Sequence, residues 1–236
     1  MKFYRRLHPI KAISFDLDDT LYSNQPVMQE TEQGMVKFFA RLLSGHGDRE
    51  FNFAYWLEYR QKAIAMQPEL KHDVTALRLT SYYLGCCALG MIKAEAKVKA
   101  QQAMDHFIEL RSDFEVPEAS HQLLKYLGSK VPLVAISNGN VDTDKIAISQ
   151  HFSHIYHAGK GVLKKPSEDM FVRACQALNI QPRELLHVGD CGHADVLGGS
   201  WAGCQTAWFP HYGIGKRLSI LPHIELSDVG ELRALV

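Results

Sequence analysis

No run of this sequence approaches the ~20 consecutive apolar residues of a transmembrane helix, so no membrane partner is expected. Behind the basic residues Lys2, Arg5 and Arg6 of the Met1 to Ile10 segment there is no long apolar stretch, and no signal peptide is expected. An excess of one charge is also lacking. The 26 Lys plus Arg balance 26 Asp plus Glu, for a formal net charge of zero, which gives no electrostatic reason to expect a nucleic-acid partner. The 5 cysteines (Cys86, Cys87, Cys175, Cys191 and Cys204) are odd in number and have no metal-ligand spacing. They are expected to be reduced thiols in a cytoplasmic protein, mostly small core residues. Cys191 is the exception, because it follows a motif residue. Internal repeats and low-complexity segments are absent, and nothing in the sequence signals an oligomeric state.

What is present is a chain of 236 residues, 46% of them hydrophobic, enough for one core domain carrying a smaller one. The apolar stretch Lys11 to Phe15 reads as a buried strand that runs into Asp16-Leu17-Asp18-Asp19-Thr20. From Pro26 to Phe114 the pattern is helical throughout. Met28, Met35, Phe39 and Leu42 recur at helical spacing, as do Val98, Phe107 and Ile108 within Lys93 to Arg111. After Pro117 helices and strands alternate. Helices are expected at Glu118 to Leu127, Asp144 to Gln150, Ser167 to Leu178 and Ala194 to Ala202. Strands are expected at Pro132 to Ser137, His154 to His157, Leu185 to Gly189 and Cys204 to Phe209, with a weaker one at Ile224 to Leu226 before a short helix from Ser227. That alternation predicts an α/β fold, a Rossmann-like doubly wound parallel sheet with an inserted helical domain. Residues 1–21 and 115–236 form the core domain, and residues 22–114 the insert.

In such sheets ligands sit at the carboxyl ends of the strands, near the point where strand order reverses. There the sequence places Asp16, Asp18 and Thr20 after the first strand and Ser137-Asn138-Gly139 after the second. Lys165-Pro166 precedes a long helix, and Gly189-Asp190 ends the fourth strand, with Asp195 one turn on. Clustered carboxylates repel one another unless a cation joins them. Oxygen ligands without His or Cys favour a hard ion, Mg²⁺ first. A small hydroxyl and backbone N–H groups can hold phosphate oxygens, and Lys165 supplies a point charge. Two aspartates two residues apart can divide the labour, one attacking while its neighbour serves as acid and base.

Asp-x-Asp-x-Thr, then Ser, then Lys-Pro, then Gly-Asp-x-x-x-x-Asp resemble, in that order, the four motifs of the haloacid-dehalogenase-like hydrolase superfamily. The helical stretch lies between Asp16 and Ser137, and too little chain separates Ser137 from Lys165 for a second insert. This is similar to the branch with one helical cap. The phrases Phe-Asp-Leu-Asp-Asp-Thr-Leu-Tyr, Gln67 to Thr75 and Ser137-Asn138-Gly139-Asn140 further resemble bacterial flavin mononucleotide phosphatases. The resemblance implies a Mg²⁺-dependent phosphatase acting on a small phosphorylated metabolite. Asp16 would be the nucleophile that forms an aspartyl-phosphate, and Asp18 the general acid and base. Asp16, the Asp18 carbonyl and Asp190 would hold Mg²⁺, with Asp195 acting through water or orienting the site. Ser137, Asn138 and Lys165 would bind the phosphoryl group, Thr20 would brace the first loop, and the cap would close over the core and choose the substrate.

Other readings of these residues exist. A phosphomutase would keep the Asp-x-Asp pair; a haloacid dehalogenase would leave Asp18 without a task, since a halide departs without a proton. A catalytically silent phospho-ligand-binding module would be expected to have lost carboxylates that are all present here. Taken alone, Ser137-Asn138-Gly139 is an ordinary turn, and Asp195 a helix cap. His151, His154 and His157 lack a carboxylate or Cys to complete a metal set and read, like His193, as structural or solvent-facing. Phe51, Tyr55 and Tyr59 follow the i, i+4, i+8 spacing of a packed helix face, although an aromatic ring could stack there beside Phe53 and Trp56. His72 and Arg78 suit either a substrate contact or a solvated helix face.

Overall fold

A computed structural model describes residues 1–46 and 50–236. Residues 47–49, inside the stretch expected to be helical, lie outside the described residues. The chain separates into two compact units. One contains Met1–Asn24, Glu115–Gly139 and Thr143–Val236; the other contains Gln25–Phe114 with Asn140–Asp142.

The first unit is built on a sheet of strands β1 (Lys2–Phe3), β2 (Ala12–Phe15), β3 (Leu133–Ser137), β4 (His154–His157), β5 (Leu185–Gly189), β6 (Gln205–Trp208) and β7 (Ile224–Glu225). Their order is β1-β7-β6-β5-β2-β3-β4. All neighbours pair in parallel except β1 with β7. Residues of β2, β3 and β5 are buried along their whole length, as expected of central parallel strands covered on both faces. The chain builds outward from β2 through β3 to β4, then crosses back to β5 and on to β6. The order therefore reverses at β2, so the segments following β2, β3 and β5 share one edge. This is the doubly wound, Rossmann-like sheet that the alternation predicts. Among the described helices, α5 (Glu118–Gly128), α6 (Asp169–Leu178) and the short α7 (Gly198–Trp201) pack against its strands. The core between α6 and the sheet joins Ala12, Val134, Ile136, Met170, Phe171 and Leu185.

Two local expectations change, and one strand is added. Asp144 to Gln150 is a set of turns followed by a 3₁₀ turn at Ser149–His151, not an α-helix. The Thr143 carbonyl accepts from Ile148 and Ser149, and Ala147 has a positive φ of 55°, so the α ladder never closes. The helix expected from Ala194 opens earlier, as a π-helical turn at Gly192–Leu197. The N-terminal segment, which carries no strand signal of its own, supplies β1 and closes the sheet edge against β7.

The second unit is helical: α1 (Asn24–Leu42), α2 (Phe53–Met66), α3 (Val74–Ala88) and α4 (Lys93–Arg111), with a 3₁₀ turn at Pro68–His72. Asn52 Oδ1 accepts from the Tyr55 N–H at 3.2 Å and Asp73 Oδ1 from the Ala76 N–H at 2.8 Å, so both α2 and α3 start on side-chain caps. Met35, Phe39, Phe51, Trp56, Tyr82 and Phe107 belong to its core. No described helix is long and apolar enough to cross a membrane.

Ile13 lies fully buried in the central strand, so Ile13→Ala should cost about 2–5 kcal/mol. Chemical denaturation measures this, and a loss under about 1 kcal/mol would contradict the packing described.

Candidate active site

The site forms where β2, β3 and β5 end. Asp16 directly follows β2, and its N–H donates to the Val188 carbonyl of β5 at 2.9 Å, which fixes the start of the loop. Lys165 is 2% exposed, and all three of its ammonium donors are used. They go to Asp16 Oδ1 at 2.8 Å, Asp195 Oδ1 at 2.7 Å and the Ile136 carbonyl at 2.6 Å. The peptide between Lys165 and Pro166 is cis.

Asn138 secures that lysine from the β3 side. Its Nδ2 donates to the Lys165 carbonyl at 3.0 Å, and its Oδ1 accepts from the Lys165 N–H at 2.7 Å. Both ends of the amide are thus engaged with the Lys165 backbone, leaving one N–H for any ligand. Ser137 is buried, and its Oγ accepts from the Gly139 N–H at 3.0 Å. A Cβ at Gly139 would lie 2.6 Å from Asp18 Oδ2 and 3.3 Å from Ser137 Oγ. Only glycine allows Asp18 to come this close to the β3 loop. His157 Nδ1 donates to the Gly139 carbonyl at 3.0 Å, so one of the histidines read as structural holds this loop in place.

Asp18 is half-buried, and its Oδ1 accepts from the Tyr22 hydroxyl at 2.8 Å. Asp19 takes the left-handed conformation, φ 56°, and its Oδ1 accepts from the Asn24 N–H at 2.8 Å, capping α1. Thr20 is buried and bonds the Leu17 carbonyl through its N–H at 3.3 Å, while its hydroxyl has no hydrogen-bond partner among the described residues. The loop is therefore braced by the Thr20 backbone and not by its side chain.

Past β5, the π-helical turn returns Asp195 to the site. The Asp195 N–H donates to the Cys191 carbonyl, and its Oδ2 accepts from the Cys191 N–H, each at 2.9 Å. A wide turn of this kind recurs at functional sites. The Trp208 indole N–H donates to the Asp190 carbonyl at 2.8 Å. Asp16, Asp190 and Asp195 each present a carboxylate oxygen within 4.8 Å of the others. The Asp18 carboxylate lies outside this trio. Sequence reading missed His187 altogether. Its Nε2 lies 3.0 Å from Asp195 Oδ1 and its Nδ1 2.9 Å from Ser14 Oγ. Ser14 and His187 are register partners on β2 and β5. Two polar residues at matching positions of two apolar strands were the available signal.

The electrostatics show what this cluster lacks. Burial raises the Asp16 carboxyl, Lys165 pulls it down, and Asp195 and Asp18 push it up again, for a net rise to about 7. Burial, then Asp195 and Asp16, push Asp190 up to about 8. Burial also works against charge on Asp195, yet Lys165 and His187 more than offset it and hold that carboxyl below the usual range. Burial lowers Lys165, but Asp16 and Asp195 reverse this and raise it above its ordinary value. Burial keeps His187 below its ordinary value, hence neutral near pH 7. One ammonium cannot neutralise three carboxylates, and the set fits a hard divalent cation such as Mg²⁺. A carboxyl raised by folding favours the fold below its unfolded pKa, and that contribution fades as pH rises through the folded value. Without a cation, Asp16 and Asp190 should therefore weaken the fold as pH climbs through about 7 and about 8. Saturating Mg²⁺ should raise the melting temperature by a margin that grows between about pH 6.5 and 8.5. Paired thermal melts with Mg²⁺ and with chelator test this; a constant margin would contradict it.

Residues 10–203 match the family model of the haloacid dehalogenase-like hydrolases. Across the whole of both chains, the sequence is 37% identical to 5-amino-6-(5-phospho-D-ribitylamino)uracil phosphatase YigB of Escherichia coli K12. It is 31% identical to phosphoglycolate phosphatase of Chromobacterium violaceum, over 98% of each chain. The fold is similar to a 2-haloacid dehalogenase of Pseudomonas syringae pv. Tomato DC3000, with TM-score 0.88 at 24% identity over 96% of this chain and 97% of that one. With the site geometry and these matches together, the chain belongs to the haloacid dehalogenase-like hydrolase family.

Proposed function

We propose that this protein is a Mg²⁺-dependent phosphatase that hydrolyses small phosphate monoesters through an aspartyl-phosphate on Asp16. The observation that carries the reading is a pair of carboxylates with different surroundings: Asp16 held by buried Lys165, and Asp18 held by Tyr22 against Gly139. An Asp16 carboxylate oxygen attacks phosphorus, the ester P–O bond breaks, and Asp18 gives its proton to the leaving alkoxide. Asp18 then takes a proton from water as that water attacks phosphorus, and Asp16 is released. Lys165 and the Ser137 hydroxyl face the charge of the transferring group, which is where most acceleration of phosphoryl transfer arises. Asn138 serves chiefly by fixing the Lys165 backbone. Asp16, Asp190 and the Asp18 carbonyl would hold Mg²⁺, assisted by Asp195, whose Oδ1 already accepts two donors. The ion supplies further positive charge at the phosphoryl oxygens. A dehalogenase reading leaves Asp18 idle. The thiols of all 5 cysteines are free, in keeping with a reducing, cytoplasmic setting.

The core groups address only the phosphoryl group, which every monoester presents alike, so the helical unit is the natural source of discrimination. That unit contains a cavity of about 50 Å³ walled by Phe39, Phe51, Trp56, Tyr82 and Phe107, with Glu32, Arg60 and Arg78 among its polar groups. The Arg78 guanidinium lies 3.7 Å from the Phe107 ring centre. Burial and then Arg78 lower the pKa of Arg60, as expected of two cations lining one cavity. Aromatic walls with two arginines and one carboxylate suit a planar heterocycle bearing carbonyl and N–H groups. Flavin mononucleotide and the phosphoribitylamino-uracil named for the Escherichia coli relative are both ribityl phosphates of such rings. Similarity over the whole of both chains to the Escherichia coli phosphatase favours the pyrimidine over the flavin. The substrate we favour is thus a phosphorylated ribityl-pyrimidine, with flavin mononucleotide second. His72 does not line the cavity.

Asp16→Asn should abolish turnover while leaving the melting temperature within a few degrees; substantial hydrolysis by a clean preparation would sink the nucleophile assignment. Trp56→Ala and Arg78→Ala should shift the ratio of kcat/KM for a ribityl phosphate over p-nitrophenyl phosphate by tens-fold, the scale of about 1–3 kcal/mol of pocket contact. His72→Ala should leave that ratio unchanged. Equal losses on both substrates would mean these side chains only support the helical core.

A further inference from the structure

His187 lies three residues before Asp190 in a strand that is otherwise Leu, Val and Gly. It is 1% exposed and touches no surface. A buried histidine in an apolar strand costs stability unless its ring nitrogens are satisfied. Here both are: Nδ1 meets Ser14 Oγ at 2.9 Å and Nε2 meets Asp195 Oδ1 at 3.0 Å. The carboxylate can only accept, so Nε2 carries the hydrogen. Nδ1 is then the acceptor, and the Ser14 hydroxyl donates to it. Phe171 packs edge-on to the ring, at 4.8 Å between centres and 86° between planes, and fixes its plane.

Asp195 Oδ1 is shared by two donors, His187 Nε2 and Lys165 Nζ, and Lys165 Nζ is in turn shared between Asp195 Oδ1 and Asp16 Oδ1. A continuous line therefore runs from Ser14 through His187, Asp195 and Lys165 to Asp16. We propose that His187, set in one tautomer by Asp195 and supported by the Ser14 hydroxyl, is a positioning residue: by meeting part of Asp195's demand for donors, it leaves Lys165 free to stay on Asp16. If its N–H is removed, the buried Asp195 carboxylate has one donor fewer, and the nearest group able to compensate is Lys165. The ammonium is drawn toward Asp195 and away from the oxygen that attacks phosphorus and from the charge that develops there. Binding of the ground state changes little, because the loss falls on an interaction that matters most in the transition state.

This role rests on the phosphatase reading for its kinetic consequence but not for its geometry, so two measurements separate the two ideas. The first is the long-range ¹H–¹⁵N spectrum of the histidine rings in the intact protein. The proposal expects His187 as the Nε2–H tautomer, and Ser14→Ala should retain it, because the Asp195 carboxylate still accepts from Nε2. An Nδ1–H ring in the unaltered protein overturns the proposal whatever the protein hydrolyses. The second is a pair of variants assayed with Mg²⁺ on p-nitrophenyl phosphate. His187→Gln keeps an N–H near the Nε2 position, whereas His187→Met keeps only bulk. The methionine variant should lose about 10- to 100-fold in kcat with KM changed less than about threefold, a smaller loss than removing a donor that touches the developing charge itself. The glutamine variant should recover most of that loss at the same melting temperature. If the two variants lose kcat equally, or lose only melting temperature, His187 is a packing residue and the proposal fails. Should the methionine variant not fold, His187→Leu set against His187→Gln carries the kinetic arm: kcat lowered at constant KM in the leucine variant but not in the glutamine variant supports the proposal, and equal kcat in the two overturns it. No hydrolysis by the unaltered protein would strike at the phosphatase reading, leaving the tautomer result to stand alone.

Discussion

The organising interaction is the burial of one ammonium, Lys165 Nζ, between Asp16, Asp195 and the Ile136 carbonyl. A lone buried charge is expensive, and a buried pair is worthwhile only when every donor and acceptor finds a partner. That requirement explains several features at once. Asn138 clamps the Lys165 backbone on both sides. The π-helical turn brings Asp195 to the ammonium instead of carrying it away along an α-helix. The doubly wound order sets β2 between β3 and β5, so residues from distant parts of the chain meet at one edge. If Lys165 were lost, two carboxylates would face each other in a dry site with nothing between them.

The same constraint explains the incompleteness of the charge balance. Lys165 serves Asp16 and Asp195 but does not satisfy Asp190, which stays pushed up to about 8 by burial and by its two neighbours. The protein arranges three acidic oxygens around the Lys165 ammonium, and the negative charge left over fits a hard divalent cation. Catalytic sites commonly carry such electrostatic imbalance, because groups needed for chemistry are not the groups that would maximise stability.

Much of this was legible in the sequence. The alternation after Pro117 gave the parallel sheet because strand and helix periods differ, and the run of carboxylates, hydroxyl and lysine at strand ends gave the rim. What was not legible has a physical cause in each case. Asp144 to Gln150 has helical composition, yet a five-residue hydrogen bond to Thr143 wins over local propensity. The brief β1 carries too few residues to signal a strand and exists because β7 offers an open edge. His187 and Ser14 each look like an isolated polar residue in an apolar strand; only the register of β2 against β5 makes them a pair. Motif order assigns Asn138 to the phosphoryl group, whereas in the folded chain both ends of its amide engage the Lys165 backbone. The cavity of the helical unit assembles from four helices and the Phe51–Phe53 segment, a conjunction that no linear pattern encodes.

The central claim is that Asp16 accepts the phosphoryl group and that Lys165 holds it ready to do so. The most direct measurement is rapid acid quench of the working protein with a phosphate monoester, followed by mass spectrometry of the peptide containing Asp16. The account predicts a transient adduct of one phosphoryl group on Asp16 that forms and decays at rates consistent with turnover. Turnover proceeding with no adduct on that peptide, or with an adduct on another residue, would contradict it.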